Sequence, residues 1–256
     1  KAREWVREVN LGGTAVGTGI NADLAYVASA LEHLRQMTHL PLTLSRNLVD
    51  GTANADPLVE VSGLVRTGAV AIKKMANDWR LLSSGPQFGL DELRLPALQE
   101  GSSIMPGKVN PVLCEAAGQV ALQVMGRDGV VAAALGESNL QLPQFLPLAA
   151  HNLLSGLEEL STILRPLADM VRRMDVPVAR LAEQMKRSWS VGTLLAPVLG
   201  HETLGRLINR ARLEGRSLGD CLLEEGLLTE DELDRLMVPE VLCAPGMPVL
   251  DEEEQP

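Results

Sequence analysis

Residues 56–82 read DPLVEVSGLVRTGAVAIKKMANDWRLL and decide the fold class of the chain. Apolar and small residues recur there at intervals of three and four, which places their side chains along one face of an α-helix. They are Val61, Leu64, Val65, Gly68, Ile72, Met75, Trp79 and Leu82. Asp56 followed by Pro57 is typical of an N-cap and first helical residue, and Ser83-Ser-Gly-Pro86 is typical of a helix end. The pattern predicts one helix of roughly 39 Å, at about 1.5 Å per residue.

Three more long helices are predicted around this one. Residues 24–34 have helical spacing, and this helix stops before Pro41 because the residue preceding a proline avoids the helical conformation. Residues 111–134 predict a helix with Pro111 at its first position. Residues 153–171 predict a fourth, with Pro166 as a candidate kink. Between these helices, residues 10–21 are too rich in glycine for a helix interior.

These patterns predict an all-α protein, an elongated bundle of long helices followed by a small helical C-terminal domain. We assign residues 1–172 to the bundle, 173–248 to the small domain and 249–256 to an acidic tail. Lys1–Arg7 lacks an initiator Met and resembles the middle of a helix, so we expect the bundle to be incomplete at its N-terminus. A thin bundle buries little surface alone, which predicts association with further copies of the chain.

Composition excludes several classes of protein. A net charge of -10 opposes binding to phosphate backbones, so nucleic acid is not an expected partner. No apolar run approaches the roughly 18 residues of a membrane span, and the N-terminal residues lack a signal-peptide core. The three cysteines, at positions 114, 221 and 243, are far apart and form no CxxC pair. They predict neither a disulfide nor a metal site, and they favour a cytoplasmic location.

The segment Gly101-Ser-Ser-Ile-Met-Pro-Gly-Lys-Val-Asn110 carries the chemistry of the sequence. It lies in a Gly- and Pro-rich connection of the kind that is usually functional when long. Lys108 and Asn110 precede the predicted helix at Pro111, where a helix N-terminus favours anions, and both supply donors suited to a carboxylate. The segment is not a Walker A loop, because five residues separate its glycines and Val109 follows the lysine.

Three segments together resemble the fumarase/aspartase superfamily. The residues are Gly101–Pro111 (GSSIMPGKVNP), Asn10–Asn21 (NLGGTAVGTGIN) and Asn77–Pro86 (NDWRLLSSGP). They stand in the order that the superfamily has, and the resemblance extends over essentially the whole chain.

The resemblance implies an anti-elimination from a four-carbon dicarboxylate to give fumarate. We expect no cofactor, and the sequence shows no cluster of metal ligands. Ser102 is implied as the base, and Lys108 and Asn110 as the groups that bind the substrate carboxylate. Glu115 matches a carboxylate that orients a histidine, and Ser103 is a supporting residue of the loop. Thr14, Thr18 and Asn21 either shape a turn near the site or contact the substrate. The pair Thr38-His39 lies after the glycine-rich motif, whereas the superfamily's catalytic Thr-His pair lies before it, so we interpret it as a helix end.

Details favour the aspartate ammonia-lyase branch, in which aspartate gives fumarate and ammonia. Leu81–Pro86 and Leu95–Ser103 are similar to that branch, whereas Leu140-Gln-Leu-Pro143 and Leu195-Ala-Pro depart from the usual pattern. Fumarate hydratase, a lyase for a bulkier substrate and a non-catalytic oligomeric scaffold of the same fold remain alternatives. The resemblance also implies a homotetramer whose active sites draw on three subunits. Since the superfamily's Thr-His segment would precede Lys1, we expect these 256 residues alone to be inactive.

Overall fold

The computed structural model of the protein describes residues 6–189 and 191–246. In chain order its helices are α1 (Leu24–Thr38), α2 (Leu48–Ala53), α3 (Asp56–Leu82), α4 (Val112–Gly136), α5 (Leu146–Arg172), α6 (Val178–Lys186), α7 (Val191–Leu199), α8 (His201–Glu214), α9 (Leu218–Glu224), α10 (Glu230–Leu236) and α11 (Pro239–Leu242). Two short parallel strands, β1 (Glu8–Val9) and β2 (Thr43–Leu44), pair Glu8 with Thr43 and Val9 with Leu44. The all-α prediction is confirmed, and this small strand pair is an addition that the sequence analysis did not predict.

The described residues form two compact units, which divide between Asp175 and Val176. In the first unit, α4 packs along both α3 and α5. Consecutive helices run antiparallel, since Ile72 and Ala76 near the end of α3 share a buried cluster with Cys114 and Ala117 at the start of α4. The C-terminal ends of α3 and α5 and the N-terminal end of α4 therefore meet at one end of the bundle.

The buried face of α3 differs in part from the predicted stripe. Its buried residues are Ser62, Ala69, Ile72 and Ala76. Leu64 and Met75, which we assigned to the stripe, are exposed in the isolated chain. Small residues lie where α3 comes closest to α4. The surface of α3 that contacts α4 is therefore displaced from the larger side chains of the predicted stripe.

Helix ends also required correction. The N-cap of α3 is Ala55, so Asp56 is already helical, and no side chain caps this end. Pro111 is the N-cap of α4 rather than its first helical residue. The short helix α2, capped by the Asn47 side chain through the amides of Val49 and Asp50, was missed. Helix α5 continues through Pro166, so this candidate kink does not divide the helix.

The glycine-rich segment before α1 consists of turns, as predicted. Gly17 is essential to it, because a Cβ at this position would lie 2.3 Å from the Cα of Val49 in α2. Its φ of 81° also belongs to the left-handed region that glycine tolerates. The segment is thus fixed against α2 by close backbone packing.

The second unit contains α6–α11 around a core that includes Leu195, Leu207, Leu218 and Leu222. A capping box at Thr229 and Glu232 opens α10, and an equivalent box at Ser217 and Asp220 opens α9. None of the described helices is long and apolar enough to span a membrane. The predicted acidic tail lies outside the described residues.

Candidate active site

The loop that carries the signature segment leaves the bundle between α3 and α4 and closes on itself. The amide of Gly101 donates to the carbonyl of Lys108 at 3.1 Å, and the amide of Lys108 donates to the carbonyl of Met105 at 3.3 Å. A Cβ on Gly101 would lie 2.1 Å from that same Lys108 oxygen. Because real side chains do not tolerate such a contact, only glycine permits this closure.

Ser102 lies where its hydroxyl oxygen is flanked by backbone donors. Its Oγ accepts hydrogen bonds from the amides of Ile104 and Met105, each at 3.1 Å. Two N–H groups aimed at one oxygen favour its ionised form, as hydrogen bonds to a charged group do generally. The turn therefore supplies part of the stabilisation that an alkoxide needs.

A groove of about 600 Å³ runs along the loop. Gly101, Ser102 and Lys108 line it, and the Lys108 side chain is exposed. The loop thus places a hydroxyl held by two backbone amides and an ammonium group at one cavity. A small anion that enters the groove can reach both.

Asn110 has a structural contact within the loop, and its predicted role in binding a carboxylate stays a prediction. Its side-chain amide donates to the carbonyl of Gly101 at 2.9 Å and so braces the base of the loop. This bond uses one N–H of the amide. Binding of a carboxylate, the role that the resemblance implies, would use the remaining N–H or require the brace to open.

The other predicted site residues do not line this groove. Ser103 is exposed beside Ser102, and Glu115 is exposed in the first turn of α4. Thr14, Thr18 and Asn21 are exposed on the turn segment before α1. A single chain therefore brings Ser102, Lys108 and Asn110 together, and the roles of the remaining residues stay predictions.

Thr38 and His39 end α1, which confirms their interpretation as a helix end. His39 is the C-cap in the left-handed conformation, and its amide donates to the carbonyl of Arg35 at 2.8 Å. The Thr38 hydroxyl donates to the carbonyl of Leu34 at 2.6 Å. Both residues are therefore used locally.

Cys114, close to the loop in sequence, belongs to the core. It is buried, and its sulfur lies 3.9 Å from that of Met170. Burial raises the pKa of the Cys114 thiol; nearby Arg80 opposes this and Glu115 adds to it. A neutral, buried thiol is inert. Within the described residues, no cluster of three or more His, Cys, Asp or Glu side chains suits a metal ion.

The amide pair at Ile104 and Met105 is the part of the site that residue types alone do not locate. A serine followed by a tight turn is a weak signal for such bonds, since serine hydroxyls often bind amides two and three residues on. Only the folded turn shows that the bonds form at Ser102 and not at Ser103.

Two family models match the chain, one in each of its two compact units. Residues 1–126 match the family model described as Lyase, and residues 192–244 match the one described as Fumarase C C-terminus. The chain is 39% identical to an aspartate ammonia-lyase of Bacillus subtilis (strain 168), over 96% of this chain and 52% of that protein. It is 38% identical to a class II fumarate hydratase of Pseudomonas putida, over 94% of this chain and 52% of that protein.

A solved structure gives the same result for the fold. The cobalt-bound fumarate lyase:delta crystallin from Brucella melitensis superposes with a TM-score of 0.87 at 41% identity, covering 93% of this chain and 52% of that one. The long antiparallel helices, together with these matches, define the class as an all-α lyase fold. The chain belongs to the fumarase/aspartase superfamily. It spans about half the length of the curated relatives it matches.

Proposed function

We propose that the protein is a lyase that eliminates ammonia from aspartate to give fumarate. The observation that carries the proposal is the juxtaposition of the Ser102 hydroxyl, held by two amides, with the Lys108 ammonium in one groove. A base and a cation are the two groups that removal of a proton next to a carboxylate requires.

In the proposed reaction, Ser102 acts as its alkoxide and takes a proton from the carbon beside one carboxylate, which makes it a hydroxyl. It returns that proton to solvent before the next turnover. The electron pair of that C–H bond moves into the carboxylate, which becomes a dianion. Lys108 stabilises this charge more strongly than the single charge of the substrate, so it lowers the barrier and does more than tighten binding. The pair then forms the C=C bond as the C–N bond breaks and ammonia leaves.

The second candidate is the release of water from malate. It shares the removal of a carbon-bound proton by Ser102, but the leaving hydroxyl must also gain a proton to depart as water. Its support is the class II fumarate hydratase of Pseudomonas putida, which is nearly as similar to this chain as the Bacillus subtilis aspartate ammonia-lyase is. The loop suits both reactions, because both pass through the same carboxylate dianion. The leaving group is the feature that separates them.

The test is an assay of fumarate formation, by ultraviolet absorbance, with L-aspartate and L-malate as separate substrates. We expect turnover of L-aspartate by the protein as the cell makes it, and Ser102→Ala should lower kcat/KM by about 1,000-fold. Ser103→Ala removes a neighbouring exposed hydroxyl that lines no part of the groove, so it should lose far less. For the 256 residues alone the expectation remains no measurable turnover.

Three outcomes would contradict the proposal in different ways. Turnover of L-malate alone would replace it with the hydratase. Equal losses in the two serine variants would remove Ser102 as the base. No turnover of either substrate by an intact oligomer would favour the scaffold of the same fold.

We further propose that copies of the chain associate as a homotetramer through faces of the long helices. The support is a set of exposed apolar residues on α5 beside its buried face: Leu154, Leu157, Leu164 and Val171 are all exposed in the isolated chain. Leu157, Leu164 and Val171 repeat every seven residues, which is the spacing of a seam between helices.

A cytoplasmic location also remains a proposal, supported by three unpaired thiols.

A further inference from the structure

Residues 91–95, which we call the stem of the signature loop, fold against the end of α3. The amides of Glu92 and Leu93 donate to the carbonyl of Leu82 at 2.8 and 3.2 Å, and the amide of Asp91 donates to the carbonyl of Ser84 at 2.7 Å. Leu95 packs against the buried cluster at this end of the bundle. The chain is thus anchored immediately before it leaves the bundle.

Arg94 joins this stem to the end of α5. Its amide donates to the carbonyl of Asp175 at 2.8 Å, and the Asp175 amide donates back at 3.0 Å. The Arg94 guanidinium reaches both oxygens of Asp91 at 3.4 and 3.3 Å, and its other nitrogen lies 3.9 Å from the Asp175 carboxylate. The hydrogen bond and charge of Asp91 raise the pKa of Arg94. Arg94 therefore links the stem to the buried Asp91 carboxylate and to Asp175, which follows the C-terminal end of α5.

The burial of Asp91 makes its pairing with Arg94 consequential. The Asp91 side chain is only 7% exposed, while that of Arg94 is 53% exposed. A buried carboxylate costs free energy unless it is paired. Loss of the guanidinium would therefore weaken the hold on Asp91 and on the stem that carries it.

Beyond the stem the chain has little to hold it. In the described structure, the hydrogen bonds of residues 96–109 all lie within the segment 101–110. Leu98, Ile104, Met105 and Val109 are exposed and contribute little packing. The position of Ser102 relative to the bundle therefore depends on the stem on one side and on the start of α4 on the other.

We infer that Arg94 is a positioning residue that sets the resting place of the signature loop by tying its stem to Asp91 and Asp175. The contribution to catalysis rests on the proposed function, because it acts through Ser102 and Lys108. The anchoring itself does not, since it is a property of the fold. Weakening the contacts of Arg94 should leave the catalytic groups of the loop unchanged. The loop should, however, spend less time in the position that the structure shows.

The first experiment measures anchoring without activity. Lys108 is an exposed trypsin site within the loop, and cleavage after it reports how often the loop leaves its place. In the 256-residue chain, Arg94→Ala should speed this cleavage about fivefold, which is the effect of losing a hydrogen bond of ordinary strength, since the contacts to Asp91 are long and Arg94 is half exposed. Asp91→Asn, which keeps the shape and tolerates the positive φ of 48°, should act in the same direction. The matched control is Arg172→Ala, which removes an exposed ion pair to Asp169 near the same end of α5 and should not change cleavage.

The second experiment measures kcat and KM in the protein as the cell makes it. Arg94→Ala should lower kcat by about tenfold with a smaller change in KM, because a misplaced base slows the chemical step. Arg94→Lys, which keeps the backbone bridge and the charge, should recover part of the loss. Far-ultraviolet circular dichroism shows whether each variant is folded.

The outcomes separate the two ideas. Equal cleavage rates in Arg94→Ala and Arg172→Ala would overturn the anchoring, whatever the kinetics show. Faster cleavage with unchanged kcat would overturn the positioning role. Faster cleavage in a protein that turns over no substrate would support the anchor and count against the proposed function alone.

Discussion

At the scale of single residues, Gly101 is the strictest requirement that the loop makes. Its amide closes the loop onto Lys108, and the space for a Cβ is already filled by the Lys108 carbonyl. Backbone atoms cannot move aside as a flexible side chain can. The glycine therefore fixes the separation between Ser102 and Lys108 through the closure that it permits.

Gly101→Ala should consequently open the loop and abolish most activity without unfolding the bundle. We expect kcat/KM to fall by at least about 100-fold, since displacement of catalytic groups by an ångström has effects of this size. The control is Gly118→Ala in α4, where an added Cβ meets nothing within 4 Å. Thermal melting and steady-state kinetics of both variants check the prediction, and a fully active Gly101→Ala protein would refute the closure argument.

The signature segment allowed Ser102, Lys108 and Asn110 to be predicted as neighbours because they lie within nine residues of one another. The brace formed by Asn110 could not be predicted, since a side-chain amide serves equally well against backbone or ligand. Glu115, Thr14, Thr18 and Asn21 lie on other elements. Sequence order says nothing about whether one chain or several would bring them to the groove.

At the scale of helices, α3 and α4 are held by a buried polar contact as well as by apolar packing. The carboxylate of Asp128 in α4 accepts from the Ser62 hydroxyl at 2.7 Å and from Arg66 at 2.8 Å. Asp128 and Ser62 are both buried. Because these partners lie at one level of the two helices, a shift in register would leave all three polar groups unpaired.

Asp128→Ala should therefore destabilise the bundle by about 2 kcal/mol, less than for a fully buried pair because Arg66 is largely exposed. The control is Lys74→Ala, which removes the exposed Lys74–Asp78 pair of α3 and should cost no more than about 0.5 kcal/mol. Urea unfolding measures both free energies. Equal values for the two variants would show that the buried contact adds nothing.

The spacing of apolar residues predicted well which segments of the bundle are helical. It predicted less well which faces of those helices are buried. Periodicity detects a repeat of apolar residues, and α3 has one. The closest contact with α4, however, selects Ser62, Ala69 and Ala76, whose small side chains let the backbones approach. A scale that weights large apolar residues favours Leu64 and Met75 instead, and these remain exposed in a single chain.

At the scale of the whole molecule, an all-α fold followed from composition and periodicity, because few aromatic residues and long helical repeats leave little material for sheets. The β1–β2 pair was not predictable, since two residues carry no alternation to detect. The family resemblance added the order of motifs along the chain. None of these sources fixes how many copies assemble, which depends on surfaces that a single chain leaves open.

The exposed stripe on α5 makes the assembly testable. Leu154 is 66% exposed and Leu164 is 44% exposed in the isolated chain, although both lie on a helix whose other face is well packed. A tetramer would cover this stripe, and a glutamate within it would place an unpaired charge in an apolar interface. Leu164→Glu should therefore reduce the molar mass measured by light scattering from four chains to fewer while the helical circular dichroism persists. Leu213→Glu is the control, because Leu213 is 83% exposed on α8 and lies off the stripe. If the unsubstituted chain is monomeric at micromolar concentration, or if both variants dissociate alike, the stripe on α5 is not the interface.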